Sequence, residues 1–144
     1  MTFKDSSAGF LANHMARLFA HALAREIGPL GLAPAQFMVL LELWEEDGVT
    51  QAALVAALDV EQATMANTLS RMERDGLITR HPNLGDKRAR NVCLTDRARA
   101  LRPQAMAAAR QVNARALSSL DAQDQAQLSA LMQQVIAALK RSQP

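Results

Sequence analysis

Between Ser7 and Ile27 the apolar side chains Leu11, Met15, Leu18, Phe19, Ala22 and Leu23 return every three or four positions. At about 100° per residue that spacing gathers them into one stripe, so the segment predicts an amphipathic helix. Gly28, Pro29 and Gly31 end it. Pro34 suits a first helical position, and Phe37, Leu40, Leu41 and Trp44 carry the period on towards Asp47 and Gly48, which predicts a second helix. Thr50 stands where it caps a short third helix bearing Leu54, Val55 and Leu58. Only Asp59 and Val60 separate that helix from a longer one, from about Glu61 to Asp75, and two helices joined so tightly must cross steeply. In the longer helix Met65, Leu69 and Met72 share one side. Ala63, Asn67, Ser70 and Arg74, flanked by Thr64 and Arg71, make a slim polar face on the other.

After Gly76 the period changes. Leu77–Arg80 and Asn91–Leu94 are rich in residues that suit strands, and the HPNLGDKRAR between them reads as the turn of a hairpin with a long basic tip. Thr95 or Asp96 then opens a helix to about Leu120, with Pro103 inside it predicting a kink. Asp121, with Asp124 three residues on, opens a last helix whose Leu128, Leu131, Met132, Val135 and Leu139 form another apolar stripe. The organisation is therefore three-part: an N-terminal helical segment (1–29), a middle lobe (30–100) and a C-terminal helical segment (101–144).

Composition narrows the function classes. A chain of 144 residues, 49% apolar and 21% charged, suits one ordinary domain or a small module with an oligomerisation element, and it lies outside the disordered regime. No apolar run approaches the roughly 20 residues that span a bilayer, and Asn13, His14, Arg17 and His21 interrupt the N-terminus where a secretory signal would be dense. A cytoplasmic protein with no membrane partner is expected. The single cysteine, Cys93, allows no internal disulfide and no cysteine-rich zinc module. No nucleophilic elbow, phosphate-cradling glycine loop or pocket acid pair appears, so neither an enzyme nor a cofactor or metal is expected. Glu42, Glu45 and Glu46 read as a solvated helix face. His14 and His21 lack a ligand partner at metal spacing.

The net charge of +2 conceals an asymmetry: Arg71 to Arg102 holds nine basic and four acidic residues, a local excess of +5 that leaves −3 elsewhere. A concentrated basic stretch on a nearly neutral chain points to a directed anionic partner. A helix, a tight turn, a second helix with a thin polar face and a basic hairpin form the winged helix-turn-helix arrangement, which suits double-stranded DNA. The fold class is thus mainly α, a winged helix-turn-helix with a two-stranded β wing plus N- and C-terminal dimerisation helices. A helix fits the major groove, where Gln62, Ala63 and Thr64 lie on the reading turn, Ala63 and Thr64 meet thymine methyls, Asn67 pairs with adenine and Arg71 reaches guanine or phosphate. Thr50, Gln51 and Ser70 are placed for backbone phosphates. Lys87 and Arg88 sit on an extended tip able to follow a minor groove, and Asp86 beside them is expected to brace the tip by pairing with Arg80 or Arg90, or simply to form the turn.

From Leu54 to the Leu94-Thr95 that ends the ribbon, the chain resembles the MarR/SlyA family of bacterial transcriptional regulators, above all in RMERDGLITR and in the wing's Asp86-Lys87-Arg88. The resemblance implies a homodimer whose N- and C-terminal helices form a base beneath two winged lobes on a pseudo-palindromic operator. It implies repression, and release from DNA by a small aromatic or anionic compound in the crevice between base and lobe. By position, the family's base-reading helix is Glu61 to Asp75 and its minor-groove arginine is Arg88. His14 and Arg17, with Phe37 and Trp44, are the candidate effector contacts. The chain departs from the family at Asp59, where a glycine is usual, and at Glu61 and Ala33, where a polar cap is usual. Independently of the resemblance, the terminal helices carry more apolar surface than a lobe of about 70 residues covers, which argues for a dimer. The alternative reading of the same lobe is a protein-interaction module without an operator of its own.

Overall fold

The computed structural model describes residues 1–144, and most of its helices begin at the caps the sequence supplies. A four-residue helix α1, Phe3–Ser6, precedes the first long helix and has no counterpart in the hydrophobic pattern. It is held locally, with the Asp5 carboxylate accepting from the Thr2 amide at 2.8 Å and hydroxyl at 3.0 Å. Helix α2, Ala8–Ile27, starts where the Ser7 hydroxyl accepts the Phe10 N–H. A 3-10 turn over Gly28–Leu30 follows, closed by Gly31 at φ 81°. Helix α3, Pro34–Glu45, lacks a capping oxygen at Ala33, and only the return half of a cap forms, the Gln36 side chain accepting the Ala33 N–H at 3.1 Å.

Thr50 caps α4, Gln51–Leu58, accepting the Ala53 N–H at 3.1 Å. The turn out of α4 places Asp59 in the left-handed region, φ 53° and ψ 42°, the only non-glycine residue with positive φ. Helix α5, Gln62–Arg74, begins without a side-chain cap from Glu61. The ribbon that follows is longer than the sequence pattern indicates: β2, Ile78–Pro82, pairs antiparallel with β3, Arg90–Leu94, in the register Ile78 to Leu94 and Pro82 to Arg90.

The sheet has three strands, not the two expected. A two-residue strand β1, Val49–Thr50, pairs with β3, Val49 opposite Val92 and Thr50 opposite Asn91. The Asp47 carboxylate makes this possible: one oxygen accepts the Leu94 N–H at 2.8 Å and the other is 3.2 Å from Arg99. Two residues are too few to leave a period of two in the sequence.

Thr95 caps α6, Asp96–Ala116, and the helix stops short of Leu120. The Gln125 side chain donates to the Leu117 and Leu120 carbonyls, so the chain closes a tight turn there instead of another helical one. Pro103 lies inside α6. Asp121 caps α7, Ala122–Arg141, accepting the Asp124 N–H at 2.8 Å.

The core lies between α3, α4, α5, the sheet and the first half of α6, with Leu40, Leu54, Leu69, Met72, Leu77 and Val92 almost wholly buried. Of the twenty residues of α2 only Ile27 is buried, and α7 buries none. Leu131, Met132, Val135, Ile136 and Leu139 of α7 are 41–59% exposed. The far end of α7 reaches the lobe through an ion pair, Lys140 to Asp59 at 3.2 Å. No single helix is long and apolar enough to cross a membrane.

Candidate nucleic-acid interface

The outward face of α5 follows from how the helix is anchored. Met65, Leu69 and Met72 are at most 2% exposed, and this fixes the rotation of the helix about its own axis. Ala63, Thr64, Asn67, Ser70 and Arg71 consequently face solvent, as does Gln62 at the first turn. The C-terminal end is pinned twice: Gln36 of α3 donates to the Asp75 carboxylate at 3.0 Å, and Arg97 of α6 donates to the Asp75 carbonyl. Hydrogen bonds from Gln36, and then from Arg74, hold the Asp75 carboxyl below the usual aspartate range.

Helix and wing enclose a groove of about 750 Å³ that brings together Thr50, Gln51, Gln62, Arg80, Asp86, Arg88 and Arg90. Residues from four separate stretches of sequence thus share one basic concavity. The Thr50 hydroxyl already serves as a helix cap, and Gln51 is half-buried in the first turn of α4. Ser70 is occupied too, because its hydroxyl accepts from Arg80 at 3.2 Å.

The wing corrects one expectation. Asp86 pairs neither with Arg80 nor with Arg90. Its carboxylate accepts the Arg88 amide N–H at 3.0 Å and lies 3.6 Å from the Arg88 guanidinium. Arg80 turns to α5 instead, 3.7 Å from Glu73. The reason is alternation along β2: Arg80 lies on the ribbon side that packs against α5, where Ser70 and Glu73 engage its guanidinium. The tip is braced by Asn83, whose side-chain oxygen accepts the Gly85 and Asp86 N–H groups at 2.8 and 3.0 Å. Its side-chain nitrogen donates to Asn91. Lys87 and Arg88 remain exposed, Arg88 with 94% of its side chain free.

Sequence reasoning missed Arg80 as the link between reading helix and wing. The available signal was a strand arginine two residues after buried Ile78, on the same face of the ribbon and opposite buried Val92. The side chain is 17% exposed, and its Nε is buried with no hydrogen-bond partner.

The four candidate effector contacts do not converge. His14 is exposed on α2 with its ring edge-on to Phe10, and Arg17 donates to Asn13. Phe37 is 3% exposed and packs edge-on against Trp44, whose indole N–H donates to the Ala98 carbonyl at 3.2 Å. A crevice of about 550 Å³ between α2, α3 and α6 does exist, and Phe37 lines it with Phe19, Leu23, Met38, Met106 and Arg110. Arg110 is its one cation, a residue the sequence reading did not single out. Cys93 is half-buried, and burial, with Asp47 nearby, pushes its thiol up, so it stays protonated and poorly nucleophilic at neutral pH.

Comparison with known proteins gives the same picture. Residues 32–89 match the MarR family model. The chain is 27% identical over 131 residues to the HTH-type transcriptional repressor Rv2887 of Mycobacterium tuberculosis, covering 91% of this chain and 94% of the relative. It superimposes on the crystal structure of a probable transcriptional regulator from Pseudomonas aeruginosa with a TM-score of 0.84 and 31% identity, over 91% of this chain and 98% of that one. A mutant MarR from E. coli, complexed with operator DNA, superimposes with a TM-score of 0.85 and 26% identity over 94% of this chain and 98% of that one. Sequence motif, three-dimensional fold and similarity agree: the chain belongs to the MarR family of transcriptional regulators.

Proposed function

We propose that this protein is a cytoplasmic, sequence-specific DNA-binding repressor that acts as a homodimer on a pseudo-palindromic operator. In this reading residues 30–100 form the DNA-binding lobe, while 1–29 and 101–144 form the dimer base. The observation that carries it is the shared basic groove of α4, α5 and wing beside the outward polar face of α5. Ala63, Thr64 and Asn67 read base edges in the major groove with Gln62 at its rim, and Arg71 reaches guanine or phosphate. Thr50, Gln51 and Ser70 face the phosphate backbone. Lys87 and Arg88 enter the minor groove, with Asp86 holding the Arg88 backbone in place.

The exposed apolar side of α7 is covered by a second copy, which sets two reading helices about one DNA turn, ~34 Å, apart. A small aromatic carboxylate fits the crevice between α2, α3 and α6, its ring among Phe19, Phe37 and Met38 and its charge on Arg110. Occupation of that crevice separates base from lobe and releases DNA.

Fluorescence anisotropy tests the central claim. Tight, salt-dependent binding to an inverted repeat of roughly 16–20 base pairs is expected, with much weaker binding to unrelated duplexes. Equal, weak affinity for every duplex at physiological salt overturns the reading.

A further inference from the structure

The wing tip carries a side chain that neither the fold nor the base-reading face uses. Leu84 is 103% exposed, as free as in an extended peptide, and it is the only large apolar residue between Pro82 and Val92. A lone exposed leucine on a mobile loop would mean little. This loop is built to hold it still. The Asn83 N–H donates to the Ala89 carbonyl at 3.1 Å and closes the neck, the Ala89 N–H donates to the Asp86 carbonyl at 3.1 Å, and the Asn83 side chain binds Gly85, Asp86 and Asn91. Leu84 and Arg88 are the residues just inside the closing pair, so they flank the same neck from opposite sides.

A minor groove is about 6 Å wide and 7.5 Å deep, with phosphates at its rim and deoxyribose along its walls. If Arg88 enters it, the residue across the neck meets those walls. An arginine there satisfies the negative potential, and a leucine satisfies the apolar sugar edge or pushes between base steps. Resting on the DNA-binding reading above, we infer that Leu84 is a DNA-contacting residue, an apolar wedge lying against the wall of the minor groove that Arg88 enters. The wing therefore grips by two unlike forces, one screened by salt and one indifferent to it.

That difference supplies the test. Affinities of the full-length protein, Leu84→Ala, Leu84→Met and Arg88→Ala are measured across a salt series on a duplex selected by the purified protein from a random pool. Removing a wedge of this size is expected to weaken binding by about tenfold, the plot of log K against log salt staying parallel to that of the parent. Leu84→Met keeps the affinity. Arg88→Ala flattens the slope by about one. Because Leu84 touches nothing in the protein, Leu84→Ala folds as the parent does. If it binds like the parent, or changes the salt slope as Arg88→Ala does, the wedge is wrong while the DNA-binding reading stands. If the parent selects no duplex, both fall.

Discussion

At the scale of single residues, position decides what each polar group is free to do. Asp75 looks like one more charge in a basic stretch, yet its carboxylate and carbonyl join α3, α5 and α6. Since its folded pKa is lowered, it contributes stability above the ordinary aspartate value of 3.8, and that contribution is lost as pH falls through the lower folded value. Asp75→Asn is therefore expected to melt earlier than the parent at neutral pH, with the two melting temperatures converging in strong acid. Calorimetry over a pH series checks this. On the reading face, Asn67→Ala is expected to cost about 1–3 kcal/mol at particular base pairs, and Arg88→Ala to weaken all sequences alike, as single-base operator variants would reveal. The outward face of α5 was legible in sequence because three buried side chains fix it. The partner of Asp86 was not, because pairing in a turn depends on backbone direction that spacing alone does not give.

At the scale of elements, caps and turns explain the agreement between pattern and structure. Ser7, Thr50, Thr95 and Asp121 each accept an amide three residues on. Thr95 also donates to the Gly76 carbonyl at 2.7 Å, so it joins α6 to the turn before the ribbon. Thr95→Ala is expected to cost about 1–2 kcal/mol, measurable by urea denaturation. The turn between α4 and α5 demands left-handed backbone, which Asp59 adopts and a β-branched residue resists. Asp59→Val is expected to cost at least about 1–2 kcal/mol in the same assay. What the sequence hid at this scale are the pieces too short for periodicity: α1, and the β1 strand that turns a hairpin into a sheet. The first is held only by its own Thr2 and Asp5, while β1 depends on an aspartate reaching across to β3.

At the scale of the whole molecule, what is left uncovered matters most. The apolar stripe of the last helix, evident as a stripe in sequence, finds no partner within the chain. Leu131→Glu is expected to convert the homodimer to monomer in analytical ultracentrifugation, with helical content retained and operator affinity much reduced, since one lobe reads only one half-site. The crevice was foreseeable as a place but not in its lining. Its walls come from the consecutive α2 and α3 and from the distant α6, and its cation sits on α6, away from the histidine and arginine of α2 that the sequence suggested.

The Lys140–Asp59 pair ties these scales together. Exposed as it is, it adds little to stability, but it fastens the tip of the last helix to the bend that sets the angle between α4 and α5. Any reorientation of that helix parts the pair or carries the bend with it, so on the proposed reading the molecule has a light drawstring from its pairing end to its DNA-facing head.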